Sequence, residues 1–322
     1  MTVRYRDGIE IHLSDGTTVV CDATRPAGDV TVVSHAHADH LPSESCRAVC
    51  SELTAELATV RRDRPLEPTT DERVSLVPAG HVAGSRAALI TDPDGTRYLY
   101  TGDVSTRSRF YLEGFDPPDA DVLVTEATYG TPEYVFPSHE AVSDEILTWL
   151  RETGDRPVLL FGYALGRAQK LQLLASQADR AVYTTTAVLT VNEPIEHHLD
   201  VDFPATRYDT GTELGAGDAL VLPMTTGRLD WIENLVEETD ALTAGFSGWA
   251  VDSSFRYRRE LDVGFPLSDH CDFEELCTLV AAVDPGEVYT QHGSGDAFAE
   301  HLTSRGYRAT TIKQNQTSLS EF

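Results

Sequence analysis

The segment that most constrains this chain is Ser34-His35-Ala36-His37-Ala38-Asp39-His40, set directly behind the apolar run Val30-Thr31-Val32-Val33. Three imidazoles and a carboxylate fall within six residues. A strand that stops at Ser34 and turns sharply aims its next side chains into one pocket at its C-terminal end, where open sheets place ligands. Imidazole nitrogens with a carboxylate oxygen suit zinc. The bland alternative is an exposed His-rich loop, and the buried-type strand in front of the segment argues against it.

The same device recurs along the chain. Val74–Pro78 leads to Gly80-His81, Tyr98–Thr101 runs into Gly102-Asp103, and the apolar strand Asp121–Thr125 ends on Glu126. Near the C-terminus, Gly264–Asp269 reads as a strand before His270, and Glu287–Gln291 as a strand before His292-Gly293. Taken singly, such residues are ordinary core or turn positions; together they predict one shared site. Asp22, behind the second strand of a hairpin turning at Asp15-Gly16, is either a turn cap or an acid that orients a metal-binding imidazole.

Coarser organisation follows from periodicity. Residues 43–62 suit a helix, residues 86–101 a hairpin turning at Asp92-Pro93-Asp94-Gly95, and Ser138 caps a helix through Leu150. Strands at 157–161, 181–185, 219–222 and 241–246 then alternate with helices at 166–178 and 228–239, an α/β pattern. Between Glu193 and Gly217 the Pro, Gly and Asp content reads as irregular connections, with His197 and His198 on a polar surface. A last helix is expected over 272–283. The return of strand-then-histidine after a long gap predicts a metal-bearing domain interrupted by a second α/β domain.

The 322 residues leave room for such a pair of domains. No apolar run approaches the roughly 20 residues needed to span a bilayer, and the first residues do not resemble a leader, so a cytoplasmic protein without a membrane partner is expected. The five cysteines are odd in number and scattered, and read as reduced. Cys46 and Cys50 share a helix face in this reading, without further ligands to complete a metal set. A net charge of −27, with Lys170 and Lys313 the only lysines, suggests the acidic surface of a protein from a salt-loving organism. It leaves no broad basic patch for nucleic acid, so phosphate binding has to be local.

In order, the His35–His40 segment, Gly80-His81, Gly102-Asp103, Glu126, His270 and His292 resemble the metallo-β-lactamase fold carrying a β-CASP insertion. That is the nuclease family of ribonuclease J, the cleavage and polyadenylation nuclease and the DNA cross-link repair exonucleases. Tyr163–Lys170 resembles the strand-to-helix turn of the inserted domain. Phe246–Trp249 and Leu267–Phe273 are most similar to the short branch of mRNA 3′-end processing factor-like proteins and ligase-associated exonucleases.

The resemblance implies an α/β chain with a four-layer αββα domain from residues 1–130 and 245–322 and a short β-CASP domain at 131–244. It implies that His35, His37 and His81 hold one zinc, that Asp39, His40 and His292 hold a second, and that Asp103 bridges them, with manganese as an alternative. His270 is then the general acid on the leaving oxygen, oriented by Glu126. Gly166, Arg167 and Lys170 at a helix start, with Ser247 and Ser268, are expected to contact substrate phosphate. His292 tilts the site toward the RNA-processing type, while the short insertion and the lack of a preceding RNA-binding module weigh against sequence-specific endonucleolytic cutting. The expected function is a zinc-dependent nuclease on RNA or single-stranded DNA, of the 3′-end processing type. The alternatives are a ligase-associated DNA-repair exonuclease, a small-molecule ester or thioester hydrolase, and an inactive scaffold; a homodimer is left open.

Overall fold

Short apolar stretches bounded by turn residues build most of the regular structure, and the computed structural model describes residues 2–62, 64–209, 211–227 and 229–313. The chain divides into two units, one of Met1–Ser108, Leu112–Glu133 and His270–Phe322, the other of Arg109–Tyr111 and Tyr134–Asp269.

The first unit opens with β1 (Val3–Tyr5), β2 (Ile9–His12), β3 (Thr18–Cys21), β4 (Val30–Val32), β5 (Cys46–Val49), α1 (Glu52–Arg62) and β6 (Leu66–Thr69), whose six strands form a sheet in chain order. It continues through β7 (Val74–Pro78), β8 (Arg86–Thr91), β9 (Arg97–Tyr100) and β10 (Val122–Glu126).

The second unit comprises α2 (His139–Glu152), β11 (Val158–Gly162), α3 (Arg167–Gln177), β12 (Ala181–Thr184), α4 (Thr186–His198), β13 (Ala205–Arg207), β14 (Asp218–Pro223), α5 (Asp230–Thr239), β15 (Leu242–Phe246), α6 (Ser254–Arg259) and β16 (Val263–Phe265). Its six strands are all parallel, in the order β13-β12-β14-β11-β15-β16. Strand β11 is buried on both faces: Val158 and Leu160 pack with α2 and α3, and Leu159 and Phe161 with Ile232 of α5. A continuous apolar run is what a parallel strand covered on both sides requires.

The first unit then resumes with α7 (Phe273–Val283), β17 (Glu287–Gln291), α8 (Gly295–Ser304) and β18 (Ala309–Thr311). Its second sheet has the order β18-β17-β10-β9-β8-β7. The period-2 rule divides the faces of this sheet. Tyr98, Tyr100, Val122 and Val124 join Ile9, Ile11, Val19 and Val32 of the first sheet in one core. Leu99, Leu123 and Val288 point the other way, onto Phe273, Leu276 and Val280 of α7 and Phe298 and Leu302 of α8.

Several expectations need correction. Residues 43–62 are a strand and then a helix: β5 pairs in parallel with β6, and this tertiary pairing overrides a locally helical pattern. Cys46 is therefore on a strand, and all five cysteines are free. His197 and His198 end helix α4 rather than an irregular connection, because Val188, Val191 and Ile195 bury one helical face despite Pro194. Strand β16 stops at Phe265, so an irregular stretch, not a strand, delivers His270. The expected boundary at 244/245 falls inside β15, a strand of the second unit's sheet, which cannot be divided between units. The helix expected from Arg228 begins among described residues at Asp230; Arg228 itself lies outside them.

Candidate metal centre

Nine of the residues singled out above sit at or just beyond strand ends. Strands β3 and β4 run parallel, as do β9, β10 and β17, and β7 is antiparallel to β8, which is antiparallel to β9. The C-terminal ends of β3 and β4 thus share an edge of the first sheet, and those of β7, β9, β10 and β17 an edge of the second; these edges carry Asp22, His35–His40, His81, Asp103, Glu126 and His292. Gly102 has φ +57°, and a Cβ on it would lie 2.5 Å from Ser34 Oγ, so the turn that presents Asp103 needs glycine. A bond from Arg86 N to Ser34 O, 2.8 Å, ties the start of β8 to the end of β4.

The ligand atoms of His35, His37, His81 and Asp103 all lie within 4.8 Å of one another. His37 Nδ1 is 3.0 Å from His35 Nε2 and 3.2 Å from His81 Nε2, and Asp103 Oδ2 is 3.6 Å from each of those Nε2 atoms. Donors bound at 2.0–2.1 Å to a tetrahedral zinc are about 3.3 Å apart, so this group fits such an ion. Asp103 Oδ2 is also 3.5 Å from His40 Nε2, which is 3.8 Å from Asp39 Oδ2. His292 reaches the neighbourhood less directly, its ring centroid 5.9 Å from that of His40, with φ +57° placing its backbone in the left-handed region. Asp39 and His292 are exposed and His37 and His270 half-buried, whereas His35, His40, His81, Asp103 and Glu126 are buried.

The imidazoles are held from behind. Ser34 Oγ is 2.9 Å from His35 Nδ1, and His40 Nδ1 donates to Asp22 Oδ2 at 2.7 Å. Asp22 also accepts from Ser34 N and Oγ and, from β9, Tyr100 OH at 2.7 Å. Burial opposes charge on His40, but the carboxylates of Asp103, Asp22 and Asp39 outweigh it and hold its pKa up to about 10. His35 is driven the other way, by burial and by the imidazoles of His40, His37 and His81.

Beside this group, Asp103, Glu126 and His270 form a second cluster within the same 4.8 Å limit. Burial raises the Glu126 pKa, yet His270 and the bonds from Thr128 Oγ1 and Val104 N hold it below the usual value. As a carboxylate it accepts His270 Nδ1–H at 2.7 Å, which leaves Nε2 as the atom through which that ring exchanges a proton. The His270 ring centroid is 4.5 Å from that of His81.

The expected phosphate contacts lie in the second unit, and Gly166, Arg167 and Lys170 among them are engaged within the chain. Gly166 N is taken by Gln169 Oε1 at 2.8 Å, Arg167 and Lys170 are both bonded to the carboxylate of Asp269, and Lys170 is fully buried. Ser247 and Ser268 are buried as well. The anion at this helix start belongs to the chain itself. Asp269 was missed because one acid between a serine and a histidine gives no sign of three distant cationic partners; so were Ser34, Tyr100 and Thr128, whose hydroxyls carry no signal in a sequence.

No protein-family model matches the chain. It is 34% identical over 304 residues to a probable DNA ligase of Opitutus terrae, covering 89% of this chain and 29% of the ligase. An RNase J-like protein of Methanocaldococcus jannaschii is 26% identical over 215 residues, 56% of this chain and 51% of its own. The DNA cross-link repair protein SNM1 of Arabidopsis thaliana is 23% identical over 308 residues, 82% and 61% respectively. The chain thus spans less than two thirds of each of these relatives. A crystal structure of a protein of unknown function from Enterococcus faecalis shares the fold, with a TM-score of 0.66 at 13% identity over 98% of both chains. Relatives matching along most of its length, and a histidine–carboxylate centre on a mixed α/β scaffold, make the chain a member of the β-CASP/metallo-β-lactamase family.

Proposed function

We propose that this chain is a metal-dependent nuclease that hydrolyses phosphodiester bonds of RNA or single-stranded DNA. The observation that carries the reading is the Glu126–His270 pair, 2.7 Å apart, beside the ligand group. A leaving alkoxide needs a proton donor, and hydrolysis of a small activated ester does not. We read the paired sheets with α1, α7 and α8 as the four-layer αββα arrangement, and the second unit as the β-CASP insertion.

His35, His37, His81 and Asp103 would hold one zinc or manganese ion, and Asp39, His40 and His292, sharing Asp103, a second. Bound there, the ions supply positive charge against the scissile phosphate and acidity for the attacking water. Asp22 fixes His40 through Nδ1 and so directs its Nε2 toward Asp103. Glu126 keeps His270 in the tautomer whose Nε2 hands a proton to the leaving oxygen, and its negative charge stabilises the imidazolium beforehand. The exposed Asp39 and His292, with the half-buried His37 and His270, form the side from which a nucleic-acid strand would approach.

RNA and DNA oligonucleotides labelled at the 5′ or the 3′ end test this directly. Metal-dependent cleavage of either is expected, and its absence alongside hydrolysis of a small ester would overturn the reading. His270→Ala is expected to retain bound metal and to lose about 10²–10⁴-fold in kcat, read by metal analysis and single-strand cleavage. A second reading, end-trimming of DNA before ligation, is favoured by the match of 89% of this chain to a segment of a probable DNA ligase. Preference for DNA over RNA in the same assay would select it.

A further inference from the structure

Asp269, the residue before His270, is fully buried and engages three cations, all within the second unit. Arg167 Nε donates to its Oδ2 at 2.9 Å, Lys170 Nζ donates to its Oδ1, and Arg109 Nη2 donates to its backbone carbonyl at 3.1 Å. Arg109 Nη1 donates to the carbonyl of Ser268, and Arg167 Nη1 to that of Phe246 at 2.9 Å. None of the three cations is more than 5% exposed: Arg109 is at 4%, Arg167 at 3% and Lys170 at 0%. Burying this much charge carries a desolvation cost that an apolar cluster of equal volume avoids, so stability alone does not account for it.

The cations come from two places. Arg167 and Lys170 are on α3, and Arg109 belongs to the three-residue excursion Arg109–Tyr111, itself seated by ring packing of Phe110 on His139 and Tyr111 on Phe203. On the other side of His270, within the first unit, Cys271 N donates to Val104 O at 2.8 Å and Arg107 pairs with Asp272 at 2.8 Å. The backbone is thus pinned at Ser268–Asp269 and again at Cys271–Asp272, with only His270 between.

We propose that Asp269 is a positioning residue for His270, and that its grip by Arg109, Arg167 and Lys170 sets the imidazole for proton delivery to the leaving oxygen. The proposal rests on the nuclease reading for its catalytic consequence. Misplacing a reacting group by about 1 Å costs on the order of 10²-fold in rate. A proton donor matters only when the leaving group needs a proton.

The test compares wild type with Asp269→Asn and Lys170→Met on a 5′-labelled single-stranded oligonucleotide and on bis(p-nitrophenyl) phosphate, whose nitrophenolate leaves unprotonated. Both variants are expected to lose about 10²-fold in kcat on the oligonucleotide with KM little changed, and to keep most of their nitrophenyl ester cleavage. In ¹⁵N-histidine spectra at equal zinc content, the Nδ1–H resonance of His270 is expected to shift or broaden. Equal losses on both substrates, undiminished oligonucleotide cleavage, or an unmoved His270 resonance would overturn the proposal. Arg167→Lys, which keeps the charge and loses the forked contact, supplies the comparison if either variant does not fold. If wild type cleaves neither substrate, the nuclease reading fails, and the His270 resonance alone then decides whether Asp269 positions that ring.

Discussion

A single buried carboxylate, Asp22, receives the backbone and hydroxyl of Ser34, Nδ1 of His40 and the phenol of Tyr100, partners 12, 18 and 78 residues away. From its neighbours alone it reads equally well as a turn cap, since φ +49° is a turn conformation that aspartate tolerates. Under the proposed reading His40 is a metal ligand, so its bond to Asp22 bears on metal binding. Asp22→Ala is expected to weaken metal binding about 10–100-fold, measured by competition with a chromogenic chelator, while Asp22→Asn falls in between. Unchanged affinity in Asp22→Ala would show that the bond from His40 to Asp22 does not matter for metal binding. Arg167 and Lys170 carry the opposite lesson. A basic helix start looks like an anion site, and the anion turns out to be Asp269, about a hundred positions further along.

Helix α7 shows what an element needs in order to be legible. Asp272 caps it, its side chain accepting from Glu275 N at 2.9 Å, while Asp272 N donates to the Glu275 carboxylate at 2.8 Å. Leu276, Leu279, Val280 and Val283 bury one face at helical spacing. Asp272 also pairs with Arg107, so Asp272→Ala is expected to cost about 2–3 kcal/mol, seen as a lower urea midpoint; Asp272→Asn keeps the cap and should lose about half of that. Equal midpoints for Asp272→Ala and wild type would remove the cap from the account. Residues 46–49 and 186–198 lacked such local agreement. Strand β5 exists because β4 and β6 flank it, and α4 because its apolar face is covered although Pro194 removes a helical hydrogen bond. Both outcomes depend on partners that short windows do not contain.

For the whole molecule the governing quantity is a net charge of −27. At molar salt the Debye length falls to about 3 Å, which removes most of the self-repulsion of an acidic surface but little of the interaction between buried groups such as Asp22 and His40. In 1–2 M KCl the urea midpoint is expected to rise and cleavage to persist; inactivation by such salt would contradict an acidic surface adapted to it. Among the described residues no helix is long and apolar enough to cross a membrane. What the sequence determined by itself is the chemistry at strand ends: side chains there follow from apolar runs, glycines and the residue types next to them, all of them local. Tertiary structure alone decided which ends meet, which charges are already neutralised within the chain, and where the second unit begins and ends. Those outcomes depend on parallel pairing and burial between residues far apart in the chain. The segment from Ser34 to His40 reads as a metal-ligand cluster, and only the fold shows that Asp22 holds His40 from behind and that His270 lies against Glu126.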